Sequence, residues 1–208
     1  MDLSHPVEAL VPSLDGDVLT VLARTTAPLT GREVGRLSVR GSQSGVKTVL
    51  ARLVRHGLVT VTRAGSANLY VLNRDHVVAP AVLALVDLRG QLFDRITTRL
   101  RSWPRRPVAA AVFGSAARGD GDTESDIDVF LVRPSRMSRD AASQWEVDVA
   151  DLAQAIRRWT GNPAGIVDVT AGQVHEMIAA QAPVVVALRR DAVSLLGGHV
   201  LDVAGARR

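Results

Sequence analysis

The sequence predicts a mixed α+β protein in two domains, and three observations carry that prediction. Helix-period and strand-period hydrophobic patterns alternate along the chain, so neither class of element prevails. The length of 208 residues exceeds one typical domain and falls short of two large ones. Charge is also partitioned: residues 34–74 hold seven basic side chains and no acid, while Asp120, Asp122, Glu124, Asp126 and Asp128 crowd five acids into nine positions. The boundaries expected from these patterns are a domain over 1–75, a connecting helix over 76–104 and a second domain over 105–208.

Composition narrows the class. Apolar residues make up 47% of the chain but are interspersed with charges, and no apolar stretch reaches the ~20 residues of a membrane span. The first residues lack a basic segment followed by an apolar block, so no secretory signal is expected. The absence of cysteine excludes disulfides and thiolate metal sites, which fits a cytoplasmic protein.

In the first domain, Asp15 precedes Val18, Leu19, Val21 and Leu22 at helical spacing, which predicts a helix over 16–24. Thr30 with Glu33 three residues on is a capping-box pattern that starts a short second helix. Val46, Val49, Leu50, Leu53 and Val54 then form one stripe of a third helix over 42–56, which Gly57 closes. Alternation on either side of Ala64-Gly65-Ser66 predicts a β-hairpin. Three helices followed by a hairpin, with the run KTVLARLVRHGLVTVTRAGSANLYVLN, resemble the winged helix-turn-helix of bacterial regulators. In that reading Gln43, Ser44 and Lys47 face base edges of DNA or RNA, and Arg40, Arg52, Arg55 and Arg63 meet phosphates. The acid-free run favours a polyanionic partner; the alternative is a dimerisation or protein-docking module with a solvated basic side. Winged helices often act as dimers, so a homodimer is compatible with this reading.

Residues 76–103 keep a mostly helical apolar spacing, interrupted by Pro80 and Gly90, which predicts one long or kinked connecting helix. Arg99, Arg101, Arg105 and Arg106 gather at its end, where cations suit a helix C-terminus.

The chemistry concentrates beyond it. Residues 108–113 form an uncharged apolar run suited to a buried strand, followed directly by Gly114-Ser115. A second strand carries Asp126 and Asp128, which alternation places on one face where both can grip one cation. Gly114 lets the backbone approach a phosphate, the Ser115 hydroxyl can donate to its oxygens, and Arg118 can add a forked donor. Asp126 and Asp128 suit Mg²⁺ or Mn²⁺, hard cations that bridge triphosphate oxygens. Asp168, the single acid in a short apolar strand, is the candidate third metal ligand and catalytic carboxylate. Between these elements Ala141, Trp145, Val149, Leu152, Ala153, Ile156 and Trp159 mark an amphipathic helix over 138–160, with both tryptophans read as core. His175 beside Glu176 is read as a surface or cap residue.

The string GSAARGDGDTESDIDVFLV, with Gly-Ser, ten residues, then Asp-x-Asp, closely resembles the signature of the DNA polymerase β-like nucleotidyltransferase superfamily, above all its minimal prokaryotic members. The resemblance spans roughly residues 108–190. It implies a mixed sheet flanked by helices, NTP and Mg²⁺ as ligands, and transfer of a nucleoside monophosphate, AMP among the candidates, to a hydroxyl on RNA, protein or a small molecule. Two further functions remain open at this point. One is a transcriptional regulator whose second domain senses nucleotide; the other is an antitoxin that modifies a partner toxin.

Overall fold

The computed structural model describes residues 1–205. The chain is mixed α+β and divides into two compact units, His5–Leu88 and Met1–Ser4 with Arg89–Arg208.

The unit His5–Leu88 contains α1 (Leu14–Ala23), β1 (Leu29–Thr30), α2 (Gly31–Leu37), α3 (Gln43–Arg55), β2 (Val59–Ala64), β3 (Ala67–Leu72) and α4 (Ala79–Val86). Helix α2 starts at the capping box read from the sequence: Glu33 N–H donates to Thr30 Oγ1, and Thr30 N–H donates to Glu33 Oε2 at 2.7 Å. Ser42 caps α3 by accepting from Gly45 N–H at 3.1 Å. The stripe Val46, Val49, Leu50 and Leu53 is buried against Val18, Leu22 and Val34. Strands β2 and β3 pair antiparallel from Val59↔Leu72 to Ala64↔Ala67, leaving Gly65-Ser66 as a two-residue turn. Gly65 takes φ +61°, the backbone that such tight turns demand. Strand β1 adds to β3, giving the order β1-β3-β2.

The expected single connector is two helices, α4 and α5 (Leu88–Arg101), and the units divide between Leu88 and Arg89. Neither sequence interruption makes the break. Pro80 lies in the first turn of α4, where its missing N–H costs nothing, and Gly90 lies in the first turn of α5; the chain turns at Asp87.

The second unit continues with β4 (Ala109–Phe113), α6 (Gly114–Arg118), β5 (Ile127–Arg133), α7 (Arg139–Thr160), β6 (Ala164–Thr170), α8 (Ala171–Ala179), α9 (Pro183–Asp191) and β7 (Val193–Leu196). Its sheet has the order β6-β5-β4-β7, with β5 and β6 parallel and the other pairs antiparallel. One face buries Ile127, Val129 and Leu131 against Leu92, Ile96 and Leu100 of α5 and Trp145, Leu152 and Ile156 of α7. The opposite face buries Ala109, Ala111, Phe130 and Val132 with Val174 of α8 and Leu188 of α9. All five residues of β4 are buried, as their uncharged composition predicts for a strand covered on both sides. Trp145 is core and meets Trp103 edge-on at 5.0 Å, whereas Trp159 is half-buried with Arg95 over its ring.

Candidate active site and nucleic-acid interface

Antiparallel pairing sets Phe113, the last residue of β4, opposite Asp128 of β5. The chain then leaves the sheet at Gly114 with φ +69°, a left-handed backbone that disfavours side chains. A Cβ on Gly114 would lie 2.5 Å from Asp128 Oδ2. On the opposite side, β6 presents Gly165 in register with Asp128, and a Cβ there would lie 2.8 Å from Oδ1. The Asp128 carboxylate thus stands in a cradle bounded by two residues without side chains.

Asp126 is exposed, one residue before β5, and Asp128 is half-buried. Burial raises the Asp128 carboxyl above its ordinary range, the carboxylates of Asp126 and Asp191 raise it further, and Arg118 opposes them. Two crowded acids in an open cradle have the chemistry of a hard-cation site. Among the described residues no three His, Cys, Asp or Glu side chains form a complete metal cage. Mg²⁺ does not require one, because one or two carboxylates with substrate phosphates suffice. Asp126 and Asp128 therefore fit a divalent cation brought with a triphosphate.

Ser115 is the second residue of α6, and its carbonyl accepts from the N–H groups of Gly119 and Asp120 at 2.8 and 3.2 Å. Arg118 extends from the same short helix. Its Nε donates to Asp120 at 2.9 Å and its Nη1 to Asp191 Oδ2 at 2.6 Å, and these carboxylates raise its pKa so that it stays charged.

Asp168 does not join the pair. Alternation along β6 turns it to the α7 side of the sheet, level with Leu131, whereas Asp128 faces the other side. There its Oδ2 accepts from Trp145 Nε1 at 2.9 Å and from Arg133 Nη1 at 3.2 Å. Its Oδ1 is buried without a hydrogen-bond partner among the described residues. The expectation of a third metal ligand failed because parity within one strand does not reveal which face the neighbouring strand turns to the site. The position beside Asp128 on β6 is Gly165.

Two residues that sequence reasoning did not single out organise this region. Asp191 ends α9, and its Oδ1 accepts from Gly114 N–H at 3.2 Å. Burial works against its charge, but the hydrogen bonds from Arg118, Arg190 and Gly114 hold its carboxyl below the ordinary range. A signal was present: an acid at a helix C-terminus opposes the helix dipole, so it calls for a compensating partner. Asn162, just beyond the end of α7, is fully buried. Its Nδ2 donates to the carbonyls of Asp122 and Ser125 at 3.0 and 2.9 Å, fixing the acidic loop just ahead of Asp126. Within that loop Asp122 accepts from Ser125 Oγ at 2.7 Å and from Glu124 N–H at 3.0 Å. The five-acid crowd thus resolves into Asp120 on Arg118, Asp122 as a loop brace, exposed Glu124, and the pair Asp126 and Asp128. His175 and Glu176 lie exposed on α8.

The basic residues of the first unit also sort into two groups. Arg40 bonds to Glu8 at 2.9 Å and to buried Asp17 at 3.3 Å, and Arg52 pairs with Asp15. These acids precede residue 34, so two of the seven basic side chains of the acid-free segment are paired in space with acids outside it. Gln43, Ser44, Lys47 and Arg55 are exposed on α3, with Ser44 hydrogen-bonded to Ser42. Arg63 is exposed on β2, its Nε donating to the Gly65 carbonyl at 3.3 Å. No described helix is long and apolar enough to cross a membrane.

Residues 94–166 match the family model of the nucleotidyltransferase domain. This span contains the whole segment from Gly114 to Asp128 and supports a nucleotidyltransferase enzyme that uses NTP. None of the curated proteins matches the chain. Among solved structures, a toxin–antitoxin crystal structure with AMP-PNP is 19% identical over 54% of this chain and 77% of that chain, with a TM-score of 0.34. TrmBL2, an archaeal chromatin protein with a novel mode of DNA binding, is 14% identical over 86% of this chain and 75% of that chain, with a TM-score of 0.31. Both superpositions are too loose to carry an argument.

Proposed function

We propose that the protein transfers a nucleoside monophosphate from an NTP to a hydroxyl acceptor, at a site formed by Gly114, Ser115, Arg118, Asp126 and Asp128. The observation that carries this reading is the left-handed Gly114 set against Asp128, whose carboxylate stands where a Cβ would otherwise be. A phosphate chain can reach the carboxylates across that glycine, while Ser115 Oγ and the Arg118 guanidinium supply donors to its oxygens. Asp126 and Asp128 would hold Mg²⁺ or Mn²⁺, which supplies charge neutralisation on the phosphate oxygens. The acceptor oxygen attacks the α-phosphorus as the bond to the bridging oxygen breaks. Pyrophosphate leaves and the hydroxyl proton passes to solvent. Residues of this chain contribute chiefly by alignment and electrostatics.

The first unit is read here as a winged helix that meets DNA or RNA. Its support is the element order α1-β1-α2-α3-β2-β3, the sheet order β1-β3-β2, and the exposed, acid-free face of α3. The experiment is incubation with α-labelled NTPs, Mg²⁺ and separate RNA, protein and small-molecule acceptors. Label should move with the wild type and not with Asp126→Asn/Asp128→Asn. Equal transfer by the double variant would refute the site.

A further inference from the structure

We propose that Asp191 is a positioning residue for the nucleotide: it fixes the Gly114 turn and the Arg118 guanidinium in one arrangement, so that both address the same triphosphate. This assignment rests on the reading of the site given above and names a residue outside the segment that carries the signature.

The sheet brings Asp191 to its place. The end of β4 pairs with the start of β7, Val112 opposite Val193, so the junction of α9 with β7 lies beside the junction of β4 with α6. Asp191 therefore reaches Gly114 across 77 positions of sequence. Its side chain is only 5% exposed. A carboxylate there is unfavourable on two counts: it is withdrawn from water, and it ends a helix whose dipole favours cations. Donors from three residues compensate it: Gly114 N–H at 3.2 Å on Oδ1, and Arg118 Nη1 at 2.6 Å with Arg190 Nε and Nη2 at 3.2 and 3.0 Å on Oδ2.

Two of those donors belong to the segment that faces the nucleotide. Gly114 sits between Asp128, which lies where its Cβ would be, and Asp191, which holds its N–H. Orienting that peptide keeps the open side of the glycine against the Asp128 carboxylate. Arg118 is held at two points, by Asp120 through Nε and by Asp191 through Nη1. Of these Asp120 is 57% exposed and Asp191 nearly enclosed, so the firm anchor is Asp191. Residues that orient the groups in direct contact with a ligand commonly contribute about 10–100-fold to affinity or activity when removed.

The test is equilibrium binding of ATP, GTP, CTP and UTP with Mg²⁺ to the full-length protein, by calorimetry, for wild type, Asp191→Asn, Asp191→Ala, Arg118→Ala and the double variant Arg118→Ala/Asp191→Ala. Folding of each variant is checked by circular dichroism. For the nucleotide that binds wild type, Asp191→Ala should weaken affinity about tenfold or more, and Asp191→Asn, which keeps an acceptor for Gly114 N–H, should weaken it less. In the Arg118→Ala background the Asp191→Ala effect should shrink, because part of it acts through the guanidinium. Folded Asp191→Ala with unchanged or tighter binding overturns the assignment, as does full additivity of the two alanine substitutions. If Asp191→Ala does not fold, Asp191→Asn decides: a Kd equal to wild type overturns the assignment. A wild-type protein that binds none of the four nucleotides overturns the site reading itself, and the assignment with it.

Discussion

Gly165 of β6 stands level with Asp128 of β5, and a Cβ on it would lie 2.8 Å from Asp128 Oδ1. The backbone of Gly165 is ordinary strand, so alanine is tolerated by the chain and resented only by the carboxylate. Gly165→Ala should rotate Asp128 out of line and lower nucleotidyl transfer on the order of a hundredfold, with the melting temperature little changed. Gly114→Ala meets the same carboxylate at 2.5 Å and must also hold φ +69°, so it should add a stability loss of about 1–2 kcal/mol. Transfer assays and thermal melts of the two variants separate these effects.

Asp128 also makes a prediction about pH. Its folded-state pKa is raised, so the folded protein binds this proton more tightly than the unfolded chain does. The contribution of Asp128 to stability therefore falls as pH rises from the unfolded value of about 3.9 through the raised folded value, and the deficit is complete above it. Asp128→Asn should melt higher than wild type in EDTA at neutral pH, and the difference should vanish near about pH 3, below both values. The same variant should lose transfer by about 10²-fold or more. Equal or lower melting of Asp128→Asn at neutral pH would contradict the burden that burial and the neighbouring carboxylates place on this charge.

Asp168 is expected to behave as a structural acid. Asp168→Ala removes the acceptor of Trp145 Nε1–H and the partner of Arg133, which should cost about 1–3 kcal/mol in denaturant unfolding. The Mg²⁺ concentration for half-maximal transfer should stay at the wild-type value, measured per folded molecule. A clear rise in that concentration would return Asp168 to the metal site.

These residues show how far sequence reaches. The capping box at Thr30, the buried run of β4 and the Gly-Ser turn before Asp126 and Asp128 were readable because each is local: a side chain acts on a backbone within a few residues, or a period of two or 3.6 repeats. The helix-end position of Asp191 was a local signal, but its partner Gly114 and the loop that Asn162 holds were not readable, since they lie 77 and about 40 positions away and depend on which strands pair. Asp168 failed for a related reason. Strand parity could place it opposite Val167 and Val169, but only the register with Leu131 decides that its face is the one covered by α7. The break at Asp87 carries no proline or glycine of its own, so it was not visible between Pro80 and Gly90, the two residues that looked disruptive.

The acid-free run in the first unit yields the last prediction. The salt slope counts the cations that displace counterions at phosphates, and Arg40 and Arg52 are already paired with Glu8, Asp17 and Asp15. Lys47 and Arg55 are exposed on α3, and Arg63 is exposed on the hairpin. In the winged-helix reading Arg55 and Arg63 meet phosphates, so Arg55→Ala and Arg63→Ala should each weaken duplex DNA binding across sequences and lower the salt slope, d log K/d log [salt], by about 1 in magnitude. Arg52→Ala should leave the slope unchanged, because it removes a cation whose charge Asp15 already balances, and should register as a loss of stability instead. Fluorescence anisotropy over a salt series, run beside thermal melts, distinguishes the two classes. If Arg52→Ala flattened the slope as much as Arg55→Ala, the α3 face defined by exposure would be the wrong interface; if neither Arg55→Ala nor Arg63→Ala changed it, the first unit would not be a phosphate-binding module.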